Sequence, residues 1–406
     1  MSRKLSKGWR RVRLGEVVQE RPEFITVWDE RVYKRITLRL RNQGIALRDE
    51  VHGHKLRTKK QRVVRAGDLV VAEIDAKMGG FGIAPPETEG AIVSSHYYLF
   101  TVDQAKCDLG YLDACIRKGM LHRQVFAVGS TNYAAIRSRD VLDYRIPLPP
   151  MSDQKRIADA LRVMDDAIRA NEEVLECTRA FKKSLAHELL TRGIPGRHTR
   201  FKDSPLGKIP AEWEVKRLGD VAGLSSGGTP ARGNPSYWGG KILWVKTGEI
   251  DFNIIEDTEE KITQTGLDNS AAKIVPRGAI LMALYGQGKT RGKVARLGKP
   301  AATNQACAVI EAPEDLDADY LYHYLAANYL RFRALSNDGS QKNLSLVLIR
   351  DFPVPIPTKG EQQEIASTLE ACVNQTPALE CTRESLDATK SRMRDALLAG
   401  ALGGAA

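Results

Sequence analysis

Two stretches of this chain place mostly apolar side chains at alternating intervals of four and three residues. The first is Ile157, Leu161, Met164, Ile168, Asn171 and Leu175, continuing less cleanly through Phe181, Leu185 and Leu189. The second is Ile365, Leu369, Cys372, Thr376 and Leu379, with Leu386, Met393 and Leu397 keeping the heptad. So narrow a stripe predicts a coiled-coil seam on a long helix. One helix cannot bury its seam alone, so the two are expected to pack on each other, with Asn171 helping to fix register. Each follows a Pro-rich boundary, Pro147-Leu-Pro149-Pro150 or Pro353-Val-Pro355-Ile-Pro357, which suits neither a central strand nor a helix interior. Before each boundary the period changes. Alternating or β-branched runs at 33–40 and 68–74 predict strands and 109–127 a helix; later, strands are expected near 242–245 and 279–284 and a helix near 318–335.

The order of elements recurs because the sequence does. Trp9-Arg-Arg-Val-Arg-Leu14-Gly15 returns as Trp213-Glu-Val-Lys-Arg-Leu218-Gly219 at an offset of 204. Tyr111-Leu112 and Gly129-Ser130 return as Tyr320-Leu321 and Gly339-Ser340, at offsets of 209 and 210. Pro147-Leu-Pro149 with Gln154 returns as Pro355-Ile-Pro357 with Gln362 at 208, and Leu175-Glu-Cys177-Thr178-Arg179 as Leu379-Glu-Cys381-Thr382-Arg383 at 204. Landmarks in one order with nearly constant offsets mark a tandem duplication.

Chain direction then fixes an arrangement. The first helix, about 152 to 192, would be about 60 Å long. One module precedes it and the other follows it, so the second helix must run back beside the first, antiparallel. Leu161 and Cys177 are sixteen residues apart, Leu369 and Cys381 twelve; the loss of four is about one turn and nearly keeps the face. Pro377 lies in that shortened stretch and predicts a kink. The expected fold is α+β: two mixed modules separated by two long antiparallel helices forming a coiled coil, as a pseudo-two-fold repeat. The expected divisions are module one at 1–150, first helix at 151–195, linker and module two at 196–357, second helix at 358–400 and a disordered tail at 401–406.

Composition narrows the function. A hydrophobic fraction of 42% and a charged fraction of 27% suit soluble protein. No apolar run is long enough to span a bilayer and the first nine residues lack a signal-peptide core, so a cytoplasmic location is expected. The six cysteines include no C-x-x-C pair, and His52-Gly-His54 alone cannot build a metal site. Cys177 and Cys381 are expected to pack in the seam rather than form a disulfide. The net charge of +11 is concentrated: residues 31–65 hold twelve Lys and Arg against Asp49 and Glu50. A one-sign block of that density points to a polyanion partner. A smaller block in the second half runs from Lys289 through Arg291, Lys293 and Arg296 to Lys299.

Catalytic motifs break down on inspection. Gly286-Gln-Gly288-Lys289-Thr290 resembles the end of a phosphate-binding loop, but Ala283 stands where its first glycine belongs. Asn234-Pro235-Ser236-Tyr237 departs from the Asn-Pro-Pro-Tyr of amino-methyltransferases at Ser236, and Asp75-Ala-Lys77 lacks the upstream partner of a nuclease site. The duplication repeats a scaffold and no acidic or nucleophilic cluster.

Ser225-Ser226-Gly227-Gly228-Thr229-Pro230, followed by Tyr237-Trp238-Gly239-Gly240 and Ile242-Leu-Trp244-Val245, resembles the target-recognition domain of type I restriction-modification specificity subunits. Gly248-Glu-Ile250, Pro276-Arg-Gly278, Thr303-Asn304-Gln305, Gly339-Ser340-Gln341-Lys342-Asn343-Leu344 and Glu361-Gln362 follow in the family's order. The first half keeps the plan but has Val93-Ser-Ser95-His96-Tyr97 where Asn-Gln would fall. The resemblance implies a non-catalytic subunit whose two recognition domains each read half of a split, asymmetric target in double-stranded DNA. It further implies that two methyltransferase and two motor-nuclease restriction subunits join it. S-adenosylmethionine, ATP and Mg would belong to those partners, with no cofactor on this chain and no membrane contact. Arg156, Arg169, Arg179, Lys182 and Lys183 would then lie on interface or solvated helix faces.

Reading bases needs directional donors and acceptors, whereas phosphates need only charge. In module one the expected DNA-facing residues are Arg35, Arg39, Arg41, Asn42, Gln43, Arg57, Lys59 and Lys60, with Ser130, Thr131, Asn132 and Tyr133 as a polar loop. In module two they are Gln287, Lys289, Arg291, Lys293, Asn304, Gln305, Gln341, Lys342 and Asn343, while Gly227, Gly228 and Thr229-Pro230 are expected to serve the backbone. The rival reading is a stand-alone two-domain DNA-binding regulator.

Overall fold

The structure is a computed structural model that describes residues 7–126, 135–286, 288–335, 343–373 and 375–399. The chain divides into two compact units, Met1–Glu173 with Cys381–Ala406, and Val174–Glu380. The division runs through the long helices because helix ends join each core. Ile157, Leu161 and Leu398 are buried with the first unit's strands, and Leu189, Leu190, Ile365 and Leu369 with the second's.

In the first unit, strand Arg10–Arg13 pairs antiparallel with Arg145–Leu148, so the module's two ends meet. Between them lie two sheets. One is antiparallel, ordered Val18–Glu20, Tyr97–Val102, Leu69–Ala72, Phe81–Ile83. The other is ordered Ile25–Thr26, Lys60–Val63, Ile92–Val93, Val32–Arg39, Gly44–His52. The helix expected over 109–127 is Leu109–Arg117, ended by Gly119 at φ +77°, a left-handed stop that glycine adopts without strain.

The second unit repeats the closure, Glu214–Arg217 against Pro353–Ile356. Its sheets are ordered Gly223–Ser226, Cys307–Glu311, Ile280–Ala283, Val294–Leu297, Ile254–Ile255 and Glu260–Ile262, Trp238–Val245, Ala302–Thr303. The helix expected near 318–335 is two, Ala318–Ala327 and Tyr329–Ala334, separated at Asn328, whose amide donates to Tyr324 O at 2.8 Å.

The repeated landmarks hold equivalent joints. Asp108 and Asp317 cap their helices by accepting from Tyr111 N and Tyr320 N at 3.0 and 2.9 Å. Both tyrosines are buried, and their hydroxyls donate to Pro147 O and Pro355 O. The buried Gln154 side chain accepts from Asp108 N at 2.8 Å and donates to Pro149 O at 2.9 Å. Gln362 does the same with Asp317 N at 2.7 Å and Pro357 O at 2.9 Å. A buried amide must be paired at both ends, which explains a glutamine in the first turn of each long helix.

The first long helix is Met151–Arg192; the second is described as Lys359–Val373 and Gln375–Ala399. Within the first unit Asp165 pairs with Lys390, and Glu172 with Arg383 at 2.8 Å. Within the second, Arg179 meets Glu380 at 2.5 Å, Lys182 meets Thr376, and Arg197, just beyond the helix, meets Glu364 at 2.6 Å. In both units one position rises as its partner falls, the mark of antiparallel neighbours.

The seam departs from expectation in two places. Phe181 is 61% exposed, and the half-buried Lys182 continues the spacing from Leu175 through Thr178 to Leu185, its apolar stem serving where its charge does not. Cys177 and Cys381 are exposed rather than packed in the seam. Asn171 is half-buried, and its Oδ1 lacks a partner among the described residues. Pro377 lies within the helical stretch Gln375–Ala399, three residues beyond Asn374, which is outside the described residues. Among the described residues no helix is long and apolar enough to cross a membrane, and no cluster of His, Cys, Asp and Glu suits a metal ion.

Candidate nucleic-acid interface

The basic block of the first unit folds as the hairpin Val32–Arg39 and Gly44–His52 and the segment leading through strand Lys60–Val63. A bulge between Arg35 and Ile36 in the register leaves Arg48 as the extra residue. Three of the block's twelve cations are committed internally. Arg35 makes a two-pronged bond to Asp49 at 2.7 and 2.6 Å, which raises the guanidinium pKa and lowers that of Asp49. Lys59 pairs with Asp29 and donates to Gly53 O at 2.7 Å. Arg62 is buried, donating to Arg21 O at 3.0 Å with its guanidinium 4.5 Å from the Phe24 ring. Below it Arg21 donates to buried Asp68 at 2.5 Å.

Arg48 also reaches Asp49, at 3.8 Å, and most of the others remain available. Arg31, Lys34, Arg39, Arg41, Lys55, Arg57 and Lys60 are exposed and form no ion pair among the described residues. The Lys60 ammonium lies over the Phe24 ring, 4.7 Å from its centre. Gln43 is exposed beside Arg41. Asn42, expected at the DNA, is 7% exposed, and its side-chain nitrogen lies 2.9 Å from His122 Nδ1, so it is an internal clamp.

In the second unit two motifs far apart in sequence meet. Gly228 N donates to Thr303 O at 2.9 Å, and the Thr229 hydroxyl donates to Gln305. A Cβ on Gly227 would lie 2.1 Å from Thr303 O, and one on Gly228 2.3 Å from Ala272 N, so only glycine allows the approach. Trp244 Nε1 donates to Gly228 O at 3.0 Å and braces the turn. Thr229 and Gln305 stand exposed or half-buried at its rim, whereas Asn304 spends its carbonyl on Ala306 N at 3.1 Å.

The basic block here is largely neutralised. Arg291 is 7% exposed and donates to Arg333 O at 3.0 Å, so burial removes it from the expected DNA-facing set. Lys293 pairs with Asp251, and Arg296 with Asp319 and Glu370. Lys289 is exposed and Asn343 half-buried. Ser130, Thr131, Asn132, Tyr133, Gln287, Gln341 and Lys342 lie outside the described residues. One cluster was not anticipated: Arg232 stacks 3.9 Å from Trp238 and 4.9 Å from Trp244 while gripping Glu260. Its only sequence signal is an arginine between Gly-Gly-Thr-Pro and Tyr-Trp.

The family model for the type I restriction modification DNA specificity domain matches this chain twice, over residues 6–176 and 210–385. The chain belongs to that family. As a type I specificity protein it is 28% identical over 176 residues to the type I restriction enzyme MjaIX specificity subunit of Methanocaldococcus jannaschii, 42% of this chain and 40% of that one. The MjaVIII specificity subunit of the same organism is 26% identical, over 63% of this chain and 61% of its own length. The EcoR124I/EcoR124II specificity subunit of Escherichia coli is 26% identical over 56% of this chain and 55% of its own. The chain thus spans less than two thirds of these relatives.

The fold has the same kin. One solved chain, described as the structural basis underlying complex assembly and conformational transition of the type I R-M system, aligns with TM-score 0.61 and 19% identity over 99% of each chain. The type I S subunit from M. genitalium aligns with TM-score 0.54 and 14% identity, over 98% of this chain and 99% of that one.

Proposed function

We propose that this chain reads a split, asymmetric DNA target, one half with each module, as the non-catalytic specificity subunit of a cytoplasmic type I restriction-modification complex. The observation that carries the reading is that one specificity domain is matched twice while the two copies display different surfaces: unpaired cations in the first, a braced glycine turn in the second. Unequal readers suit an unequal target. The long helices, paired as a coiled coil, would set the gap between the two half-sites and offer faces to two methyltransferase subunits, with two restriction subunits joining the assembly. S-adenosylmethionine, ATP and Mg would serve chemistry in those partners.

The test is sequencing that maps methylated bases in DNA from cells carrying this chain with its methyltransferase subunit. A two-part motif that disappears when this chain is deleted is the expected result. Failure to bind the methyltransferase subunit in pull-down, with DNA binding intact, would replace this reading by a stand-alone regulator. Methyl transfer by the purified chain alone would overturn its non-catalytic role.

A further inference from the structure

We propose that Arg41 reads a base pair of the target directly, its guanidinium presented by the tip of the hairpin Val32–Arg39 and Gly44–His52. The inference rests on the DNA-reading function above and deepens it by assigning one side chain and one mode of recognition.

Arg39 and Gly44 form the last rung, and residues 40–43 make the tip. Arg41 and Asn42 both have φ of +58°. In that region Cβ crowds the backbone, and hairpin turns place Gly, Asn or Asp there. Asn42 is of the tolerant type; Arg41 is not. The tip is nevertheless held firmly. Arg41 N donates to Met78 O at 2.7 Å and Asn42 N to Gly79 O at 3.0 Å, while the Asn42 amide engages His122. Gly79, at φ +80°, makes room for this seat: a Cβ there would stand 2.8 Å from Asn42 N and 3.0 Å from Arg41 Cα. Glycine occupies the seat, and arginine occupies the strained position above it.

The Arg41 residue is exposed and makes no side-chain hydrogen bond or ion pair among the described residues. Phosphate contact needs only charge, which Arg39 and Lys60 supply from relaxed backbone. A rigid, strained backbone bearing a free fork of donors suits bidentate recognition of guanine O6 and N7. Arg41→Lys keeps the charge and removes the fork, so it separates the two roles.

The experiment is selection of bound DNA from a random-sequence library by the full chain, with its methyltransferase subunit where the complex requires it. Wild type, Arg41→Lys and Arg41→Gly are compared. In both variants, discrimination at one G·C position of one half-site is expected to fall roughly 10- to 100-fold, with the other positions unchanged. Arg41→Lys should keep the salt dependence, and Arg41→Gly, which suits the backbone, should keep the melting temperature. An unchanged motif in both variants overturns the proposal. So does uniform weakening across sequences with Arg41→Gly lowering the salt slope by about one, the signature of a phosphate contact. A wild-type selection that yields no motif sinks the DNA-reading function itself, and this inference with it.

Discussion

The difference in charge pairing between the two units makes a quantitative prediction about salt. Arg57 and Lys60 are exposed without ion-pair partners, whereas Lys293 is held by Asp251. If Arg57 and Lys60 each neutralise a phosphate, replacing both with Gln lowers the slope of log affinity against log salt by about 1.8. Between about 50 and 200 mM salt, wild-type affinity should then fall about twelvefold more than that of the double variant. Lys293→Gln should leave the slope nearly unchanged, because its charge is already offset within the fold. The assay is fluorescence anisotropy with a duplex carrying the methylated motif, repeated across the salt series. Equal slope changes for Lys293→Gln and the double variant would refute the reasoning, as would no change in the double variant. Lys59 and Arg62 are unsuitable members of such a set, since one is tied to Asp29 and the other is buried.

Other outcomes follow from the frame and from titration. Gln154→Leu and Gln362→Leu each strand a helix-cap N–H and a prolyl carbonyl, so each should cost about 2–3 kcal/mol in urea unfolding of its own unit. Gly227→Ala drives a Cβ against the Thr303 carbonyl, backbone that cannot swing aside; loss of about 3 kcal/mol or more is expected, with tryptophan fluorescence near Trp244 reporting the disturbance. Burial lowers the pKa of His323, outweighing the opposing pull of Glu370, with Arg296 and Asp319 also facing the ring. A histidine held below its unfolded value contributes stability that is present above about pH 6.5 and lost as pH falls toward the folded pKa. Urea midpoints should therefore drop from about pH 7.5 to 5.5, and His323→Gln should flatten that drop.

Much of the frame was legible because it is built from local periodicity and repeated residues. The four-three spacing located both long helices, whereas the Pro-rich stretches, read only as boundaries, fold as part of the strands that close each module. What escaped the sequence depends on partners distant along the chain. Counting cations found the basic blocks, but Asp251 is 42 residues from Lys293 and Asp29 is 30 from Lys59, so no local pattern distinguishes free charge from paired charge. Arg62 looked like a surface residue because burial of an arginine needs the Phe24 face and the Arg21 carbonyl. Phe181 looked like a seam residue because apolar type was the guide, whereas Lys182 fills the half-buried position with its methylene stem. The hairpin tip was hidden for a related reason: the glycine that permits it, Gly79, sits in another loop.

The meeting of each module's first and last strands also bears on how such a protein can change. Arg10–Arg13 with Arg145–Leu148, and Glu214–Arg217 with Pro353–Ile356, bring the two ends of each reading unit side by side. Whatever lies between them is a closed excursion of the chain, leaving and returning at one place. Residues can be inserted, deleted or replaced wholesale inside that excursion without altering where the neighbouring helix begins. Variation in what is read is thereby uncoupled from the joint that transmits position, and a new preference can arise within an unchanged chassis.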